Sequence, residues 1–129
     1  MAFFFKNPEE NNYFNFEFNC IGTCSATQCE SKSLNVSPLS TASLNSIKRF
    51  ATLGDVPFDE KIGNFEWKLT VEIPFSIIEL PVTNLPKVLM ANFYKCADGT
   101  SVPHYLSWSY ILTAQPDFHQ PKHFGVVTF

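Results

Sequence analysis

Two stretches of strict alternation limit what this chain can fold into. In residues 13–19, Phe14, Phe16 and Phe18 fall on one side of an extended strand and Asn15, Glu17 and Asn19 on the other, because successive strand side chains point to opposite faces. Residues 65–73 repeat the pattern, with Phe65, Trp67, Leu69, Val71 and Ile73 set against Glu66, Lys68, Thr70 and Glu72. A helix would scatter both apolar rows around its circumference. As strands they must bury those rows against each other or against a facing sheet, which predicts a β-rich fold with both rows, Trp67 included, in a shared core. The composition agrees: 14 Phe, 4 Tyr and 2 Trp against 5 Gly put the apolar content into large flat side chains that suit a pleated surface.

Weaker signals fill in the rest. Pro74 ends the second alternation, since proline donates nothing to a sheet ladder, and residues 75–80 have room for one helical turn before Pro81. Residues 87–94 predict a third strand; Val88, Leu89, Met90 and Ala91 are continuously apolar, as in a strand buried on both sides. The Asp98-Gly99 turn signal joins it to an antiparallel partner at 104–108, and 124–129 reads as a closing strand. Residues 23–46 form a polar connection with a weak helix signal at Ser37-Pro38, followed by a candidate strand at 47–53. With 129 residues, no repeat and no linker, the chain is expected to form a single domain over 1–129.

Several functions are disfavoured at this level. The net charge is −3 and Lys and Arg are scattered, so the basic footprint of a nucleic-acid binder is missing. No segment approaches the roughly 20 apolar residues of a membrane span. The opening Met1-Ala2-Phe3-Phe4-Phe5-Lys6 lacks the length and charge order of a signal peptide, and the compartment stays open. Cys20, Cys24, Cys29 and Cys96 read as reduced thiols, without the close pairing of a zinc site. His119 and His123 are four apart, but Pro121 between them breaks the helix that would align them on a metal.

A glycosidase needs two carboxyl groups facing one cleft, one acting as acid and one as base or nucleophile. Only Glu17 stands on a strand face flanked by amides, and one candidate does not make a pair. Neither a nucleophile elbow nor a glycine-rich phosphate loop occurs. The polar face Asn15-Glu17-Asn19 together with abundant aromatics suits sugars, whose hydroxyls bond amides and carboxylates while their C–H faces stack on rings. A solvated outer sheet face produces the same alternation.

The C-terminal third carries more specific marks. Asn92-Phe93-Tyr94-Lys95, His104-Tyr105-Leu106-Ser107-Trp108, Pro116-Asp117-Phe118-His119 and Pro121-Lys122-His123-Phe124-Gly125 follow an order and spacing that resemble the family 9 carbohydrate-binding modules and their bacterial relatives. Residues 67–74, where a Trp leads into an apolar stretch ending in Pro, resemble that family's penultimate core strand, and residues 12–24 resemble a strand and loop of its bacterial members.

The resemblance implies an all-β, antiparallel, jelly-roll-like β-sandwich that binds carbohydrate of the xylan or cellulose class without catalysis. Members are often attached to xylanases, and some hold calcium; the residues themselves call for no cofactor. By this resemblance Phe118 is one of a pair of aromatics that clamp the sugar, Asn15 and Glu17 supply polar contacts, and Asn92 and His119 are further contributors. The family is longer at its N-terminus, where its other clamp aromatic lies, and a carboxylate expected in the strand matching Ala2-Phe3-Phe4 is absent. The chain therefore reads as the C-terminal part of such a domain. Residues 2–5 are then expected at an unprotected sheet edge, which favours self-association. The alternatives are a structural or interaction β-sandwich without the clamp, and an accessory domain of a glycoside hydrolase.

Overall fold

The computed structural model describes residues 1–128; Phe129, the last residue of the expected closing strand, lies outside the described residues. The fold is an all-β, sandwich-like arrangement built on one large antiparallel sheet. Its strands are β1 (Ala2–Lys6), β2 (Tyr13–Phe18), β3 (Cys24–Cys29), β4 (Ser37–Pro38), β7 (Val88–Cys96), β8 (Tyr105–Ser107) and β9 (Gly125–Thr128). The order is β4-β3-β2-β1-β7-β8, with β9 also on β7. Between β4 and β7 the chain forms the helix α1 (Thr41–Ser46) and a ribbon of β5 (Lys48–Ala51) and β6 (Leu69–Glu72).

β1 is central. Phe4 stands opposite Asn15 of β2 on one side and Asn92 of β7 on the other. This corrects the expectation of an open edge at residues 2–5: both edges of that strand are paired, so it offers no seam to a second copy. β7 is long enough to serve two partners along one edge, pairing β9 through Val88–Ala91 and β8 through Tyr94–Cys96.

Alternation sorts the side chains of the large sheet between two cores. On one face Phe5, Phe14, Phe16 and Phe18 join Ala26, Leu89 and Ala91, covered by Leu69 and Val71 of the ribbon, by Ile73, by Ile47 after α1, and by Ile78 and Leu80. Phe5 and Phe16 stack with centroids 6.0 Å apart and planes 5° from parallel. On the other face Ala2, Phe4, Tyr13, Cys29 and Tyr94 meet Phe124, with Met90, Ile111 and Phe118 packed around them.

The second alternation is shorter than expected. β6 covers only Leu69–Glu72, because its sole ladder partner, β5, is four residues long. Upstream of it Phe65 is exposed, and Trp67 is half-buried yet belongs to neither core; Trp67 as a core residue is thus corrected. Ser40 caps α1 by accepting a hydrogen bond from the Ser43 N–H at 3.1 Å. The helix signal at Ser37-Pro38 therefore lay just before the real start. Residues 75–78 form the expected single turn, a 3-10 helix.

Candidate functional site

The second face of the large sheet is not fully covered by the C-terminal segment, and the gap is a groove of about 1150 Å³. That exceeds the roughly 300–1,000 Å³ of an ordinary small-molecule pocket. Its floor is the β1–β2 face at Ala2, Phe4 and Glu17; one wall is Lys95 to Asp98 with Tyr105, and another is Gln115 to His119. Lys32, the 19–25 turn and Trp67 complete it.

Glu17, Phe118 and His119 all line this groove, so the structure brings together three of the five residues singled out from the sequence. Glu17 is exposed on β2. The Phe118 ring stacks on Tyr94 with centroids 4.3 Å apart and planes 12° from parallel, and meets Tyr105 edge-on at 6.3 Å. Backed this way, it is a fixed, half-buried ring at the groove wall. Burial lifts the Tyr94 phenol above its ordinary range, and its hydroxyl donates to the Phe118 carbonyl at 3.1 Å.

His119 is held by the Tyr13 hydroxyl, 2.7 Å from its Nδ1. Burial, with Cys29 adding to it, raises the Tyr13 phenol far above its usual range. Burial also lowers the His119 pKa, and the nearby Asp117 and Glu17 carboxylates, which pull it upward, do not reverse this. The ring is neutral at pH 7.

Asn15 and Asn92 are placed differently. Asn15 is buried and not among the groove-lining residues; its oxygen accepts from the Thr27 N–H at 3.0 Å and from the Thr27 hydroxyl, and its nitrogen donates to Glu17 at 3.3 Å. It orients Glu17 from beneath. Asn92 is fully buried, donating to the Ser109 carbonyl at 2.9 Å and accepting from the Ser109 N–H at 2.8 Å and the Phe93 N–H at 3.0 Å. Its polar atoms tie the 109 segment to β7 and present nothing to the groove.

Sequence reasoning missed four groove residues. Asp117 accepts from the His119 N–H at 3.1 Å and the Gln120 side chain at 2.7 Å, and pairs with Lys32 at 3.6 Å. Burial pushes its carboxyl up, but those hydrogen bonds and Lys32 outweigh it and hold it below the usual carboxylate range. Asp117 was visible only as a loop acid, and nothing in the sequence ties Lys32 to it. Tyr105 and Trp67 were assigned as strand residues. Among the described residues no group of three or more His, Cys, Asp or Glu is arranged to hold a metal ion. Among the described residues no helix is long and apolar enough to cross a membrane.

The two groups titrate with the same consequence for the fold, loss of stability as pH falls, in different pH windows. As pH falls below about 6.5, the ordinary histidine value, the unfolded chain takes up a proton before folded His119 does. Stability therefore drops from there until the lowered folded value is reached. Asp117 contributes stability above its ordinary 3.8, lost only as pH falls through its still lower folded value. Urea midpoints measured from pH 7.5 to 4.5 should decline in wild type and decline less in His119→Gln. An equal decline in both would show that His119 is not the responsible group.

The arrangement gathers a fixed aromatic ring, three carboxylates and an imidazole around one open groove. The sequence profile described as carbohydrate-binding family 9 matches residues 1–129. The crystal structure of a Bacteroides uniformis protein, provisionally assigned to carbohydrate binding, superimposes with a TM-score of 0.89 at 34% sequence identity. The match covers 99% of this chain and 59% of that one, so this chain spans about three-fifths of its relative's length. No curated protein matches the chain. By the profile across its whole length and by this shared architecture, the chain belongs to carbohydrate-binding family 9.

Proposed function

We propose that the groove binds carbohydrate of the xylan or cellulose class without transforming it. The observation that carries this reading is the Phe118 ring, backed by Tyr94, standing at the wall of the groove that also holds Glu17, Asp117 and His119. A pyranose lying on that ring gains apolar contact on its C–H face. Carboxylates accept from its hydroxyls, and the His119 imidazole supplies a further hydrogen-bonding group. Family membership supports the carbohydrate class; the xylan or cellulose assignment is our inference.

Glu17, Asp98 and Asp117 line one groove, but hydrolysis would require one of them to stay protonated as an acid near neutral pH, and Asp117 is held ionised. We therefore expect no turnover of aryl-xylosides or aryl-glucosides.

For binding, Phe118→Ala should weaken affinity for xylo- or cello-oligosaccharides by about tenfold or more, equivalent to roughly 1.4 kcal/mol. Glu17→Gln should also weaken it while leaving the melting temperature near that of wild type, since Glu17 is exposed. Calorimetric titration paired with thermal melts checks both. Unchanged affinity in Phe118→Ala would remove the ring from the site.

One observation favours a second reading, an interaction module. Phe93, Leu106 and Trp108 are 44, 60 and 57% exposed, and Phe3 stacks on Phe93 at 4.8 Å while Trp108 meets Phe93 edge-on. So much apolar surface on one side of β7 and β8 suits contact with further polypeptide. It lies apart from the groove, and the two readings are compatible.

A further inference from the structure

Trp67 has no structural task in either core, although a strand-alternating Trp would ordinarily be expected to pack there. It is half-buried, absent from both clusters of packed side chains, and lines the same groove as Phe118. Its position follows from the ribbon. Leu69, two residues later, reaches the 19–23 turn, where a Cβ on Gly22 would lie 3.6 Å from its Cδ1. Trp67 lines the groove together with Asn19, Thr23 and Glu17, whereas His119 is tied to Tyr13 at the start of β2.

Resting on the carbohydrate reading above, we infer that Trp67 forms a second aromatic subsite, so that the groove takes an oligosaccharide spanning Phe118, Glu17 and Trp67, of which a monosaccharide fills only part. Two observations converge on this. The volume of about 1150 Å³ is larger than pockets that enclose a drug-sized ligand, and a single pyranose would leave much of it to water. An indole left half-exposed at a groove wall, with no apolar partner in either core, offers the kind of flat surface on which a sugar C–H face packs.

The chain contains only one other tryptophan, which makes the inference directly readable. Trp108 lies against Gly125 and Phe93 and is not among the groove-lining residues, so Trp108→Phe leaves Trp67 as the sole indole reporter. In that variant, xylotetraose or cellotetraose should change the indole emission, whereas xylose or glucose, held at the Phe118 end, should not. In parallel calorimetry, Trp67→Ala should lower tetrasaccharide affinity by about tenfold and leave monosaccharide affinity unchanged.

The subsite is overturned if tetrasaccharides bind with full affinity in Trp67→Ala and leave the Trp67 emission unmoved. It is equally overturned if monosaccharides shift that emission as much as tetrasaccharides do. Should Trp67→Ala not fold, the emission experiment on Trp108→Phe decides alone. If wild-type protein gives no heat with either sugar length, the carbohydrate reading itself falls and the subsite falls with it.

Discussion

Phe16→Ala should destabilise the protein by about 3–5 kcal/mol, the usual cost of truncating a fully buried phenylalanine. Phe16 has no exposed surface and sits in the middle of the first core, stacked near-parallel on Phe5 and 6.3 Å from Phe14. Its neighbours belong to strands paired on both sides, so they cannot collapse into the vacated space without breaking ladder hydrogen bonds. A urea titration would read the effect as a lowered midpoint with an unchanged slope. A loss below about 1 kcal/mol would mean that the Phe row of β2 is not the centre of the core.

Asn92→Leu should be nearly as damaging, though no apolar contact is lost. The Asn92 amide satisfies both backbone groups of Ser109 and the N–H of Phe93. Leucine has a similar volume and cannot replace any of these bonds. Each buried group left without a partner costs about 1–3 kcal/mol, so a total of roughly 2–4 kcal/mol is expected once partial rescue by water is allowed. Because the 109 segment leads into the groove wall at 115–119, this variant should also weaken sugar binding indirectly. Asn92→Asp, which keeps the acceptor and loses the donor, should fall in between. A fully stable Asn92→Leu would show that the segment is held by other contacts.

These two residues also show where the sequence was legible. Phe14, Phe16 and Phe18 alternate with polar residues, and large side chains on alternate positions leave few ways to bury them other than as a strand. β2 was accordingly readable, as were β7, β8 and the turn between them. β3 was not, because Cys-Ser-Ala-Thr-Gln-Cys carries small and polar side chains with no strong period; it is a strand because β2 supplies its ladder along its whole length. Residues 65–68 failed in the opposite way. They alternate well, but a strand also needs a partner, and β5 is too short to provide one.

The candidate site divides along a similar line. Glu17 could be placed from its strand face, and Phe118 and His119 from resemblance to a family whose profile matches the whole chain. Asn92 and Asn15 could not be separated from them, since an amide that points at a ligand and one that points at a neighbouring backbone look alike in sequence. The ion pair of Lys32 with Asp117, spanning 85 residues of chain, left no local trace. Trp67 was hidden by its own periodicity: a tryptophan in phase with a strand reads as core until the fold shows that the strand has not yet begun.

The central claim, that the groove on the second sheet face is where carbohydrate binds, is tested most directly by following backbone amide resonances during titration with xylotetraose or cellotetraose. The account predicts saturable shifts concentrated at Glu17, at 95–98, at Tyr105 and at 117–119, with the opposite face of the sheet, at Phe5, Phe16 and Leu89, unmoved. Absence of shifts at millimolar sugar, or shifts confined to the exposed patch of Phe93 and Trp108, would contradict it.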